Sequence, residues 1–142
     1  MRIALLWSVG KDAALALCVL RERSDVVVER LVTMVDSDGR RSTVHDVPIE
    51  LVATQADRLG LPLTIVPVSG DAIGTALYEC GRELHARAFD AIATGDLRRS
   101  DAIEHRRATF WPAGLDVIAP LYALSSRAGI ERCWRAGIEA TV

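Results

Sequence analysis

Short apolar runs alternate with stretches whose apolar residues return every three or four positions, and the alternation continues along the whole chain. "RIALLW" (2–7) reads as a buried strand, and "VVVERLVTMV" (26–35) as a second one interrupted by Glu29 and Arg30. "PLTIVPV" (62–68), "DAIATGD" (90–96) and "DVIAPLY" (116–122) read as the third, fourth and fifth. Between them the helical period predicts "DAALALCVLRER" (12–23), with Leu15, Cys18 and Val19 on one stripe, and "PIELVATQADRL" (48–59), opened by Pro48 and stopped at Gly60. "DAIGTALYECGRELHARA" (71–88), "SDAIEHRRATFWPAG" (100–114) and "SSRAGIERCWRAG" (125–137) follow as helices, the last with Ser126 as its cap. "DSDGRRSTVHDV" (36–47) is a polar loop.

Strands that alternate with helices need crossover connections, so the order predicts a parallel sheet with helices on both faces. The expected fold is a Rossmann-like α/β three-layer sandwich of the HUP type, with a five-stranded parallel sheet in the order 3-2-1-4-5. Ligands of such sheets sit beyond the carboxyl ends of the strands. That rule selects Trp7 to Asp12, Thr33 to Asp38, Val68 to Asp71, Thr94 to Asp96 and Leu121 to Leu124.

The chain has 142 residues, half of them apolar and a quarter charged, which suits one globular domain over 1–142. A formal charge of −2 gives no general attraction to nucleic acid or to an anionic membrane. No run approaches the length of a membrane span, and Lys11 and Asp12 break the opening apolar stretch too early for a signal peptide. Cys18, Cys80 and Cys133 are far apart and form no C-x-x-C pair, so reduced thiols and a cytoplasmic location are expected.

The first strand runs into "SVGKDA" and then a helix. Ser8 and Gly10 are small enough to let backbone approach an anion, and a helix start there would offer unpaired N–H groups. Lys11 is the only lysine among 17 basic residues, and it stands in this loop. The Walker spacing is absent, and the local pattern is equally that of an ordinary strand-to-helix turn capped by Ser8. Asp96, in "ATGDL", ends the fourth strand where a carboxylate could hold Mg²⁺ against phosphates or simply cap the next helix. Asp101, Arg106 and Arg107 lie on that helix. His45 and Asp46 occupy the loop after the second strand, a place suited to substrate contact. His85 and His105 have no metal-site spacing and read as surface residues. Trp111 and Trp134 fall at apolar helical positions and read as core or interface. No nucleophile triad is suggested by the Ser125–Ser126 pair.

"LLWSVGKDAALAL", "TVHDVPIELVATQADRLGLPL", "ATGDLRRSDAIEHR" and "VIAPLYA" together resemble the ATP-binding domain of the diphthine-ammonia ligase family, within the PP-loop ATP pyrophosphatase superfamily. The family's opening motif is Ser-Gly-Gly-Lys-Asp-Ser. A His-Gly-Val-like turn and a Gln-Ala then lead to Leu-Gly-Leu-Pro; here these are His45-Asp46-Val47, Gln55-Ala56 and Leu59 to Pro62. Gly95-Asp96-Leu97, then Asp101 and Arg106, match the third landmark, and Pro120-Leu121-Tyr122-Ala123 the fourth, Pro-Leu-Trp-Gly in the family. The resemblance implies that Ser8, Val9, Gly10, Lys11, Asp12 and Ala13 form the pyrophosphate loop. By the same likeness Thr33, Met34 and Val35 hold adenine, and Gly95 and Asp96 complete the nucleotide site. Lys11, Asp12 and Asp96 take the catalytic roles, with Asp96 as metal ligand. His45, Asp101 and Arg106 meet the substrate. ATP and Mg²⁺ are the implied cofactors, and an unidentified carboxylate the implied substrate, adenylated so that ammonia forms an amide.

The sequence departs from that pattern in ways that bear on activity. Val9 stands where the family has glycine, and a β-branched residue does not readily take positive φ. Ala13 replaces a serine and its hydroxyl; Arg98, Arg99 and Ser100 also differ. The family's usual C-terminal extension is expected to be lacking. Binding with weakened or altered catalysis is therefore expected, and a homodimer is one arrangement the chain could take. The alternatives are a non-catalytic nucleotide-binding or regulatory module resembling universal stress proteins, and a paralogue acting as a partner's subunit.

Overall fold

In the computed structural model, which describes residues 1–139, five parallel strands lie in the order β3-β2-β1-β4-β5, as the alternation predicts. The strands are β1 (Arg2–Leu6), β2 (Val27–Val35), β3 (Leu63–Pro67), β4 (Ala91–Ala93) and β5 (Asp116–Ile118). The helices are α1 (Lys11–Arg21), α2 (Ile49–Leu59), α3 (Ile73–Ala86), α4 (Ser100–Phe110) and α5 (Ser126–Arg135). The chain first winds outward from β1 to β3, then returns to β4 on the other side of β1. The strand order therefore reverses between β1 and β4, and the loops leaving those two strands face each other there.

The sheet separates two cores. On one face Ile3, Leu5 and Leu31 pack with Leu15 and Leu17 of α1, Val52 and Ala56 of α2, and Cys133 of α5. On the other, Ala4, Val32 and Ile92 pack with Leu77 and Leu84 of α3 and Phe110 of α4. Alternate residues of β1 serve the two cores, which is the period-2 rule for a strand buried on both faces.

At the amino end of the sheet Arg2 gathers three segments. Its backbone N–H donates to Asp90 Oδ2 at 2.6 Å, and its guanidinium donates to Glu29 Oε2 at 2.8 and 3.0 Å. The same side chain donates to the carbonyls of Arg87 and Ala88, and stacks over Phe89. The charged interruption in the second strand is thus used: Glu29 meets Arg2, and Arg30 donates to Thr64 Oγ1 on β3.

Several sequence expectations are corrected. The fifth strand stops at Ile118, because Pro120 has no N–H for a ladder bond. A single 3₁₀ turn, Gly70–Ala72, precedes α3. Ser125 rather than Ser126 caps α5, its Oγ accepting from Ala128 N–H at 3.1 Å. The buried face of α1 is Ala13, Leu15, Ala16, Leu17 and Leu20, while Cys18 and Val19 are half-buried; α1 touches both the sheet and α5, so its apolar face is broader than one stripe. Of the core or interface expected for Trp111 and Trp134, only the core is excluded, since they are exposed at 56% and 75%; Arg107 lies over the Trp111 ring. No helix among the described residues is long and apolar enough to cross a membrane.

Candidate functional site

The loop between β1 and α1 is supported from below by Trp7, which is buried and whose indole N–H donates to Gln55 Oε1 on α2 at 2.9 Å. Beyond Trp7, Val9 has φ +69°, the left-handed region that disfavours a β-branched residue. The expectation that valine would resist positive φ is met by a loop that adopts it nonetheless. Its side chain is half-buried and packs against the core beneath the loop. Gly10 is the N-cap residue and supplies no side-chain cap, and Ser8 does not cap either. The first intrahelical bond runs from Ala14 N–H to Gly10 O at 3.2 Å, so the N–H groups of Lys11, Asp12 and Ala13 are left without helical partners. An ordinary capped turn would have satisfied one of them. Lys11 Nζ meets Asp12 Oδ1 at 2.6 Å, both side chains nearly half exposed, a pair worth little to stability and easily redirected.

Two further loops close on this one. A methyl group built on Gly95 would lie 2.9 Å from Ala13 N and from the Asp12 carbonyl carbon, so glycine is what lets the end of β4 touch the start of α1. A methyl group on Gly10 would lie 2.7 Å from His45 Nε2 and 3.4 Å from Ser8 Oγ. His45, from the loop after β2, therefore sits over the phosphate-type turn, and this accounts for the one glycine kept in it. The His45 loop is not loose. Arg41 Nε donates to Asp46 Oδ1 at 2.5 Å and its Nη2 to the Asp46 carbonyl; Ser42 N–H donates to Val47 O at 2.8 Å. Asp46 has φ +52°, in the turn where the resembled family has glycine.

Beside Gly95, Asp96 Oδ2 accepts from the buried Thr94 hydroxyl at 2.5 Å and lies 3.8 Å from Arg106 Nε. Asp101 does not join them: it is exposed and pairs with Arg99 at 3.1 Å. That hydrogen bond holds the Asp101 carboxyl below the usual carboxylate range, with the Ala102 N–H contributing. Asp96, Arg99, Asp101, His105 and Arg106 line an open depression of about 440 Å³. Thr33 and Val35 are fully buried and Met34 is half-buried, so this stretch offers backbone more than side chains at the end of β2; the Met34 carbonyl already accepts from Thr43 N–H at 3.1 Å. The structure thus groups Ser8 to Ala13, His45, Gly95, Asp96 and Arg106, and sets Asp101 on the rim. Gln55 as the brace of Trp7, Thr94 as the partner of Asp96, and the Arg41–Asp46 clasp are functional supports that sequence reasoning did not assign.

Among the described residues no group of three or more His, Cys, Asp or Glu side chains gathers as a cage for a metal ion. Mg²⁺ does not need one, since it is usually held by one or two carboxylates together with substrate phosphates. Asp96, beside the loop, and Asp12, within it and paired with Lys11, are the carboxylates whose chemistry suits that role.

Fold and loop together define a Rossmann-like α/β domain with a phosphate-type turn at its topological switch point. Residues 1–125 match the diphthamide synthase N-terminal domain, and the chain belongs to that family, among the PP-loop ATP pyrophosphatases. No curated protein sequence matches it. Among solved structures it is similar to the U34-tRNA thiolase NcsA from Methanococcus maripaludis with its [4Fe-4S] cluster, at 14% identity and a TM-score of 0.64. That match covers 99% of this chain and 59% of the thiolase, and at this identity the likeness speaks to the fold alone.

Proposed function

We propose that the chain binds ATP on the Ser8–Ala13 loop and activates a carboxylate by adenylation, so that ammonia can form an amide. The observation that carries this reading is the loop itself: with valine at position 9 it still follows the positive-φ course that glycine would take, and it leaves three N–H groups unpaired at the start of α1. A helix start of this kind favours phosphate through its N–H groups and its partial positive charge.

In the proposed reaction an oxygen of the acceptor carboxylate attacks the α-phosphorus. The bond from phosphorus to the bridging oxygen breaks, and pyrophosphate leaves with the electron pair. Ammonia then attacks the acyl carbon, a C–N bond forms, and AMP departs while a proton is released. The Lys11 ammonium and the N–H groups of Lys11, Asp12 and Ala13 would stabilise charge as it develops on the leaving pyrophosphate. Asp12 and Asp96 are the carboxylates that would hold Mg²⁺, which when bound would supply further neutralisation of that charge. Gly95 keeps Asp96 within reach of the loop, and Thr94 fixes the carboxylate's orientation. A cytoplasmic setting suits an ATP-dependent reaction with reduced thiols.

Calorimetric titration of ATP with and without Mg²⁺ tests the first step. Saturable binding that Mg²⁺ strengthens and that Lys11→Ala weakens is expected; no binding at millimolar ATP would refute the reading. Pyrophosphate release on adding carboxylates and ammonium separates the ligase from a non-catalytic nucleotide-binding module, which the loss of the family's serine hydroxyl at Ala13 would favour.

A further inference from the structure

We propose that the cleft between α4 and the Ala119–Tyr122 turn is a second ligand site and that it takes a free α-amino acid, an inference that does not depend on the ATP reading above. Ser100, Ile103, Glu104 and Arg107 of α4 line one side of it, and Ala119 and Tyr122 the other, around about 220 Å³. None of these residues belongs to the candidate nucleotide site. Asp101, Ala102, His105 and Arg106 line the Asp96 depression instead, so α4 is the wall that the two cavities share. Size narrows the choice of ligand: pockets for drug-sized molecules run to roughly 300–1,000 Å³, so this one suits a smaller compound than a nucleotide.

Charge narrows it further. The ion pairs made from α4 are Asp101 with Arg99 and Arg106 with Asp96. Glu104 and Arg107 stand one helical turn apart, a spacing at which opposite charges can meet, yet among the described residues they take part in neither pair nor in one with each other. Arg107 lies over the Trp111 ring, 5.5 Å from its centre, a contact that uses the face of the guanidinium and leaves its N–H edge free. The cleft therefore presents one anion and one cation side by side. A simple carboxylate would meet Arg107 but be repelled by Glu104, and a simple amine the reverse. An α-amino acid carries both charges on one carbon: its carboxylate matches the Arg107 fork, and its ammonium matches Glu104. Its side chain then meets Ile103, Ala119 and the half-exposed Tyr122 ring. That ring stands on a fixed turn, since Leu121 beside it is fully buried and Tyr122 N–H donates to Ala119 O at 3.2 Å.

The Trp111 indole N–H resonance of the ¹⁵N-labelled full chain, assigned by its loss in Trp111→Phe, reports on the cleft through Arg107. L-leucine is expected to shift it saturably, with a dissociation constant on the order of 1 mM. Leucinamide, which lacks the carboxylate, and 4-methylpentanoate, which lacks the ammonium, are each expected to bind at least about tenfold more weakly. Glu104→Gln and Arg107→Gln change exposed side chains outside both cores, so they are expected to fold and to weaken leucine about tenfold each. Arg106→Lys, on the other side of the helix, is expected to stay within about threefold of the parent chain. An unmoved resonance together with no saturation transfer from the protein to leucine would overturn the proposal. Equal binding of the three compounds would overturn it too, as would leucine affinity unchanged in both Gln variants. A tenfold loss in Arg106→Lys would place leucine in the Asp96 depression and refute the second site. None of these results bears on whether the chain binds ATP.

Discussion

Exchanging Val9 for glycine and, separately, for alanine isolates the conformational demand of the phosphate-type loop. Both variants lose the two γ-methyl groups of valine from the core, so that loss cancels between them and they differ only by the alanine Cβ. At an ordinary position alanine is the more stable by ~0.5–1 kcal/mol, because glycine gives up more freedom on folding. At φ +69° the alanine Cβ meets the left-handed penalty of roughly 1–2 kcal/mol that glycine escapes. The second term exceeds the first, so Val9→Gly is expected to be more stable than Val9→Ala by ~1 kcal/mol. For a chain of this length that corresponds to about 3–5 °C in melting temperature. Urea denaturation of the pair, read by tryptophan fluorescence, in which Trp7 is the buried reporter, gives the difference directly, with equal slopes required for the comparison to hold. If Val9→Ala equals or exceeds Val9→Gly, the loop does not hold positive φ in solution and the account of how it exposes its N–H groups is wrong.

Gly10→Ala is expected to leave stability within ~0.5 kcal/mol, because the exposed His45 ring can swing aside, yet to weaken ATP about tenfold in calorimetry. Gly95→Ala meets backbone at 2.9 Å instead, and should cost ~1–3 kcal/mol in denaturant titrations; an unchanged midpoint would show that the β4 loop does not press on α1. Burial pushes the Cys80 thiol up to about 11, aided by Glu83, so Cys80 should resist thiol reagents at pH 8 until the chain unfolds. The folded state then keeps a proton that the unfolded state releases above the ordinary thiol value of 9.0, so stability should fall between pH 9 and 11. Cys80→Ala should lack that part of the fall, as measured by melting temperature against pH.

The strand order was legible because each apolar run is separated from the next by a helix-length pattern, and right-handed crossovers leave few ways to arrange five such units. The candidate site could be placed in its loops, since Gly10, Gly95 and Asp96 stand beyond the carboxyl ends of β1 and β4. What lay beyond reach were contacts without a period. Gln55 stands in a landmark of the resembled family, but its task is unseen until Trp7 is found against it, and Arg41 with Asp46 reads as loop charge until the turn between them closes. The core reading of the tryptophans failed for a related reason. On α5 the buried positions are Gly129 and Cys133, and Trp134 lies about 100° further round, so its apolar character says nothing about which face packs. Asp101 matched the resembled pattern by position but spends its carboxylate on Arg99, two residues before it.

The Arg2 cluster gives the molecule a hinge side and a free side. At one end of the sheet a single residue fastens β1 to β2 and to the α3–β4 turn, while at the other end stand three of the four non-glycine residues with positive φ among those described, Val9, Asp46 and Arg98. Hydrogen exchange is then expected to be graded along the strands, slowest at the end that Arg2 fastens and faster in the loops at the other.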